Sequence, residues 1–298
     1  MSWLTNFVRP TLRRLVSSRA REAQWIACPR CGATVFHRDL DAAWRVCPAC
    51  GHHLPLSAAR RIELLLDEES WARIEIPAAP ADPLKFRDSR RYADRLKEAG
   101  LQSRESESVA VAHGTLDGRR AVVAAFESRF LGGSFGAAAG EALVAAAELA
   151  VLQQAPLILA AGSRGPRVQD GPFSLIQLPR ATIALVRMGE RGLPVIGIAA
   201  DPLAGPMATL LLQQADVVLA EPGARVAPPA ADPEAPVPDD APAAEDLLAR
   251  GMIDRIVARA DLKAEIGIIL DALRSPLPPP RLSFRPAAEA PSPPLIEG

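Results

Sequence analysis

No stretch of this chain holds the roughly 18 consecutive apolar residues that a membrane-spanning helix requires. Residues Met1 to Ala20 carry neither the compact apolar core nor the small-residue cleavage site of a secretion signal. A cytoplasmic protein with no membrane association is the expectation. A net charge of −1 gives no global attraction for nucleic acid or for an anionic surface. Cysteine is confined to four residues between Cys28 and Cys50, which suits a metal site in a reducing compartment better than a disulfide framework. What the 298 residues do have is apolar side chains, at 49% of the total, enough to fill one large domain or a small module plus a domain of about 200 residues.

The cysteines fall into two pairs, Cys28-Pro29-Arg30-Cys31 and Cys47-Pro48-Ala49-Cys50, separated by fifteen residues. Two such pairs can sit on two knuckle turns and close a tetrahedron of thiolates around Zn²⁺, with Gly32 and Gly51 placed where each knuckle needs a permissive residue. Four sulfur ligands leave no position for water or substrate, so the metal is read as structural. His52 and His53 adjoin the last ligand, but with four thiolates present they are read neither as ligands nor as bases. Trp25, Val35, Phe36, Leu40, Trp44 and Val46 suffice to cover one side of a zinc ribbon spanning residues 23–56. Exposed aromatic and Arg side chains of a ribbon could instead stack on single-stranded nucleic acid. Packing is the simpler use of Trp44. Ahead of the ribbon, residues 1–22 set Arg9, Arg13, Arg14, Arg19 and Arg21 beside Trp3, Phe7, Leu12 and Leu15, a basic segment that either frays or touches an acidic partner.

Residues 57–108 read as a helical connector, with a Ser57-capped helix to Leu66 and a charged helix from Ser89 to Ala99. The main domain is expected over residues 109–273. It opens with a hairpin, Val109 to Leu116 and Arg119 to Phe126, around Asp117-Gly118. His113 lies in the first strand with no nearby nucleophile and is read as structural. A glycine-rich stretch, Leu131 to Gly136, then runs into an Ala/Leu helix ending near Gln154; such glycines can cradle an anion on backbone N–H groups. Three short apolar runs follow, Leu157–Ala161, Val195–Ala200 and Val217–Ala220. They alternate with amphipathic segments at Arg167 to Arg191 and Met207 to Ala215. This alternation predicts parallel strands with helical crossovers, and it makes the two strand-to-helix turns, 162–166 and 201–206, the candidate site. Six prolines from Pro228 to Pro242 exclude a continuous helix, so 226–244 is read as an extended insertion, and the Pro-rich tail 274–298 as unfolded.

The four-cysteine ribbon, Leu84-Lys85-Phe86-Arg87-Asp88, Gly114-Thr115-Leu116-Asp117-Gly118, Gly132-Gly133-Ser134, Glu190-Arg191-Gly192-Leu193-Pro194, Asp201-Pro202 and Ala220-Glu221-Pro222 occur in that order. Together they resemble the beta subunit of acetyl-CoA carboxylase carboxyltransferase. The likeness resumes at Gly251 to Val257 and reaches about Leu273. It implies an α/β fold, a crotonase-like (ClpP/crotonase) domain preceded by the zinc ribbon. It also implies transfer of a carboxyl group from carboxybiotin to acetyl-CoA to form malonyl-CoA for fatty-acid synthesis. An alpha subunit in an alpha2beta2-like hetero-oligomer and the biotin carboxyl carrier protein are the implied partners. Gly132, Gly133, Gly136 and Gly165 would shape the acyl-CoA pocket, and the Gly205 amide would donate to the enolate oxygen. Biotin itself can serve as the base, so no catalytic carboxylate or histidine is required.

Both turns depart from the family pattern. Where the family carries Ser-Gly-Gly-Ala-Arg-Met-Gln-Glu, this chain has Ser163-Arg164-Gly165-Pro166-Arg167-Val168-Gln169-Asp170, which puts a long side chain at 164. Where the family carries Thr-Thr-Gly-Gly-Val, it has Leu203-Ala204-Gly205-Pro206-Met207, and Pro206 has no N–H to offer. Two readings follow: an active carboxyltransferase beta subunit, or a catalytically impaired paralogue acting as a structural, regulatory or RNA-binding partner.

Overall fold

The computed structural model describes residues 24–76, 80–227, 238 and 240–274. The basic segment 1–22, most of the proline-rich insertion and the tail from 275 lie outside the described residues. The elements in chain order are β1 (Trp25–Ala27), β2 (Thr34–Phe36), α1 (His37–Ala42), α2 (Ala58–Leu65), β3 (Ala72–Arg73), α3 (Tyr92–Ser103), β4 (Val109–Leu116), β5 (Arg119–Phe126), α4 (Ala137–Gln153), β6 (Leu157–Ser163), α5 (Pro172–Glu190), β7 (Val195–Ala204), α6 (Gly205–Gln214), β8 (Val217–Ala220), β9 (Val226–Ala227), α7 (Ala244–Ala249), β10 (Arg255–Ile256) and α8 (Leu262–Arg274).

Strands β1 and β2 form a small antiparallel ribbon by themselves, and the main sheet runs β10-β8-β7-β6-β5-β4-β3, with β9 added at the end of β7. The β4–β5 hairpin turns on Asp117-Gly118, both at positive φ (48° and 74°). Asp67 locks that turn. Its carboxylate accepts from the Asp117 and Gly118 N–H groups (3.1 and 2.9 Å) and the Thr115 hydroxyl (2.6 Å), and it pairs with Lys263 at 2.6 Å. From β5 onward the pairing is parallel through β6, β7, β8 and β10.

Buried parallel strands need apolar residues on both faces, and β6 is buried at all seven positions. Its alternation sorts the core. Leu157, Leu159 and Ala161 join the cluster covered by α4, α5 and α6, while Ile158 and Ala160 join the one covered by α2 and α8. Helix α4 faces the sheet with Ala139, Ala142, Ala146, Ala147 and Ala150, small side chains that let it lie close.

Two expected boundaries move for local reasons. The segment from Arg167 opens as a 3-10 turn, Val168–Asp170, and α5 begins only at Pro172, because Gly171 (φ 54°, ψ −132°) is not helical and a proline suits the first helical turn. At the insertion, Val226–Ala227 pairs with Leu203–Ala204, the Val226 N–H donates to Pro242 O (2.9 Å), and Arg225 bridges Ala243. The described ends of 226–244 are thus drawn together beside the end of β7.

Candidate functional site

The cysteines fit a metal on geometry alone. Their four Sγ atoms lie within 4.8 Å of one another, with Cys28 to Cys50 at 3.7 Å and Cys31 to Cys47 at 3.8 Å. A tetrahedron with Zn–S bonds of about 2.3 Å requires sulfurs about 3.8 Å apart. The two knuckles repeat one backbone pattern. Gly32 N–H donates to Cys28 O and Gly51 N–H to Cys47 O (2.9 and 2.8 Å), and the two glycines have φ of 72° and 71°. This is a structural zinc site. His53 is not among the gathered ligands; it is buried, and among the described residues its Nδ1 has no hydrogen-bond partner.

Behind the ribbon lies a buried ionic cluster. Glu221, at the end of β8, is 1% exposed and lies between two buried guanidiniums. Arg61 Nη1 donates to its Oε1 at 2.6 Å; Arg259 donates through Nε to Oε1 (2.9 Å) and through Nη2 to Oε2 (2.5 Å). Burial raises the Glu221 carboxyl, and Arg61 and Arg259 more than reverse that, holding it at about 2. Arg259 Nη1 reaches the ribbon, donating to the carbonyls of Trp44 (2.7 Å) and Leu54 (2.9 Å).

The first strand-to-helix turn follows β6, where the register shifts between Ala161 and Ser163. Arg167 is 1% exposed and spends every donor on this part of the chain. Its Nε bonds Ser134 Oγ (3.0 Å), Nη1 bonds Tyr92 Oη (3.2 Å) and Glu107 Oε2 (2.9 Å), and Nη2 bonds Ser134 O (2.8 Å), Ser108 Oγ (3.1 Å) and Glu107 Oε1. Burial pushes the Tyr92 hydroxyl far above its ordinary range, so it stays protonated. The glycine stretch is stitched to the turn by backbone bonds: Arg164 N–H to Gly132 O (3.1 Å), Phe135 N–H to Gly165 O (2.8 Å) and Arg167 N–H to Phe135 O (3.0 Å). A β-carbon on Gly133 would stand 2.3 Å from Gly162 O, and one on Gly136 would stand 2.3 Å from Asp170 Oδ2. The same Oδ2 accepts the Ala137 N–H at 2.7 Å, so a carboxylate already occupies the positive end of α4. Beside this turn opens a cleft of about 550 Å³ whose walls include Gly132, Arg164, Arg129, Arg90, Arg95 and Pro202.

The second turn follows β7 directly alongside. Ser163 pairs with Leu203, and Ala204 O lies 3.9 Å from the place a β-carbon on Gly165 would take. Gly205 has φ of 51°, and Pro206 occupies the first turn of α6. Gly205 and Pro206 line a separate groove of about 440 Å³ between α5 and α6, with Pro179, Thr182, Thr209 and Gln213.

The carboxyl transferase domain family matches residues 56–208, and the acetyl-CoA carboxylase zinc finger domain matches residues 25–50. The acetyl-coenzyme A carboxylase carboxyl transferase subunit beta of Granulibacter bethesdensis is 42% identical over 281 residues, covering 92% of this chain and 91% of its own. The chain belongs to the acetyl-CoA carboxylase carboxyltransferase beta-subunit family. A second member of that beta-subunit family, from Afipia carboxidovorans, is 38% identical over 303 residues, covering 100% of this chain and 96% of its own. Two solved structures share the fold. One is transcarboxylase 12S with hydrolysed methylmalonyl-coenzyme A bound, at TM-score 0.56 and 22% identity over 72% of this chain and 42% of that one. The other is the Pseudomonas malonate decarboxylase MdcD-MdcE hetero-dimer, at TM-score 0.53 and 24% identity over 72% of this chain and 86% of that one. The crotonase-like carboxyltransferase architecture behind a zinc ribbon is therefore the fold of this beta-subunit family member.

Within that fold the residues singled out from sequence divide by location. Cys28, Cys31, Cys47 and Cys50 converge. Gly132, Gly133, Gly136 and Gly165 gather at the first turn, and Gly205 with Pro206 sits on the neighbouring turn. His113 is packed against α4, its Nδ1 3.1 Å from Gln153 Nε2. Sequence reasoning missed the buried charges Arg61, Glu107, Arg167 and Arg259 as structural members. One signal was present: Glu221 directly follows the apolar run Val217–Ala220, and an acid at the end of a buried strand requires a buried cation.

Proposed function

We propose that this chain supplies the acetyl-CoA half of an acetyl-CoA carboxylase carboxyltransferase and moves a carboxyl group from carboxybiotin to acetyl-CoA in company with an alpha subunit. The observation that carries this reading is the 42% identity to a curated beta subunit over 92% of the chain. The two adjacent turns support it. A basic cleft with four arginines and one acid, Glu98, in its walls suits the phosphates of coenzyme A, with Gly132 keeping the backbone close. Loss of the acetyl methyl proton forms an enolate, whose oxygen needs fixed N–H donors in a site closed to water. Gly205 is the residue we assign to that task. The partner surface we assign is the face of α5 with Phe173, Leu175, Ile176, Ile183 and Val186, all 40–58% exposed. An alpha subunit seated there would border the groove that reaches Gly205, and the biotin carboxyl carrier protein would deliver carboxybiotin from that side.

Pro206 favours a second reading, a catalytically impaired paralogue. Removal of one oxyanion donor costs about 10²–10³ in rate, and a proline at 206 removes one N–H from this turn. Malonyl-CoA formation by the purified chain with an alpha subunit and carboxybiotin separates the two. A rate within tenfold of an enzyme carrying Gly-Gly at this turn establishes the active subunit. No detectable malonyl-CoA, restored by Pro206→Gly with Arg164→Gly, establishes the impaired one. No activity from either chain would overturn the assignment of these turns.

A further inference from the structure

Arg259 joins the zinc ribbon to the catalytic sheet through one guanidinium. The two ribbon carbonyls it holds, from Trp44 and Leu54, stand at the feet of the loop that carries Cys47 and Cys50. That loop is zipped above them: Leu54 N–H donates to Arg45 O (2.9 Å), Val46 bridges His53, and Cys47 N–H donates to His52 O (2.9 Å). Trp44 and Arg45 both hold positive φ, 51° and 63°, a conformation that residues with side chains avoid unless their surroundings enforce it. On its other edge the guanidinium clasps both oxygens of Glu221. Glu221 N–H donates to Ala199 O (3.0 Å), Ala224 N–H donates to Glu221 O (3.0 Å), and Leu203 N–H donates to Arg225 O (3.1 Å). A connected path therefore runs from the second zinc knuckle, through Arg259 and Glu221 and the 221–225 turn, to Leu203, two residues before Gly205.

We propose that Arg259 is a positioning residue that makes the conformation of the β7–α6 turn depend on a metal-loaded ribbon. The charge count explains why it can. Arg61 and Arg259 bring two positive charges to one carboxylate in a buried space, and the carbonyl oxygens of Trp44 and Leu54 absorb the surplus. Zinc fixes those carbonyls by fixing the loop between them. Without it the loop loses two of its anchors, water reaches the guanidinium, and its grip on Glu221 slackens. Arg60 provides an internal control. It also touches the ribbon, stacking 4.4 Å from the Trp44 ring and donating to Asp41 O (3.2 Å), but none of its described contacts reaches Glu221. This coupling holds whether or not the chain turns over acetyl-CoA, so its test asks nothing of activity.

The test is amide hydrogen exchange on the full chain, read in peptides covering 199–205, 217–225 and strands β4 to β6, before and after zinc chelation. Chelation is expected to raise exchange in 199–205 and 217–225 at least tenfold and to leave β4 to β6 unchanged. Arg259→Met, still holding one zinc, is expected to show the same rise and no further rise on chelation, whereas Arg60→Ala shows none. Loosening of the ribbon alone, an equal rise in β4 to β6, or an Arg259→Met turn as protected as the unaltered chain would each overturn the proposal. If Arg259→Met does not fold, Arg259→Lys keeps the charge but cannot span both carbonyls and both carboxylate oxygens. A folded Lys variant with a protected turn overturns the proposal, as does failure of both variants to fold while chelation leaves the turn of the unaltered chain protected.

Discussion

The two strand-to-helix turns at the ends of β6 and β7 lie side by side and are built on opposite plans. The first is braced by a fully engaged buried arginine: Arg167 holds the glycine stretch, Tyr92 and the entry to β4 at once. Among the described side chains none braces the second turn in this way; it rests on backbone pairing with β9 and, at one remove, on Glu221. The first turn is thus held by a side chain beside the basic cleft, while the turn assigned to charge stabilisation is held by backbone pairing with its neighbours. A substitution in the first turn should therefore act on folding, and one in the second on chemistry.

The strongest way to break that contrast is at Arg167. Arg167→Met leaves Glu107 buried without its cation and should destabilise the chain by about 3–5 kcal/mol, read as a lowered urea midpoint with unchanged slope. Pro206→Gly should stay within about 1 kcal/mol of the unaltered chain in the same titration; on the impaired reading it should also raise the rate of malonyl-CoA formation about 10²–10³-fold, and on the active reading by less than tenfold. Equal stability costs for the two substitutions would erase the contrast.

Acid probes the strut one step removed. Glu221 has its carboxyl depressed in the folded state, so its contribution is fully present above the unfolded value of about 4.5 and is lost as pH falls toward about 2. On the order of 3 kcal/mol should disappear across that window, measured as stability against pH. Glu221→Gln should flatten the slope between those limits. An unchanged slope would mean that the Arg61–Glu221–Arg259 cluster is not what acid dissolves.

Much of this arrangement could be read from the chain before any coordinates. The Cys-x-x-Cys pairs are local and their spacing alone sets the knuckles. The apolar runs Leu157–Ala161 and Val195–Ala200 marked the two parallel strands because burial on both faces demands such runs, but the strands continue to Ser163 and Ala204, into residues expected as turn. The two turns followed from those strands, and Gly133 needed no long-range knowledge to be marked. The struts were not legible. Arg259 meets Trp44 across 215 positions and Arg61 meets Glu221 across 160, and nothing in the residues next to an arginine says whether it ends in solvent or in a core. The bounds of α5 were misjudged for a different reason. Its amphipathic pattern runs through Val168–Asp170, and only the backbone of Gly171 delays the helix to Pro172.

The smallest expected effect sharpens the comparison at its two remaining glycines. Gly165, in the first turn, has φ of 104°, while Gly205, in the second, has φ of 51°. An alanine can enter the left-handed region at 51° for about 1–2 kcal/mol, whereas 104° lies outside the small left-handed basin open to residues with a β-carbon. At 165 the cost lies in the backbone and not in space, since the contact a β-carbon there would make, with Ala204 O at 3.9 Å, is an ordinary one. Gly205→Ala should therefore fold with a modest loss in melting temperature and keep its N–H, so carboxyl transfer should fall by less than the 10²–10³-fold that loss of an oxyanion donor costs. Gly165→Ala should cost more in stability because Arg167, two residues on, prevents the first turn from relaxing. If Gly165→Ala proves the milder of the two in thermal unfolding, the first turn yields more readily than its buried contacts imply, and the division between an arginine-braced turn and a backbone-paired one fails.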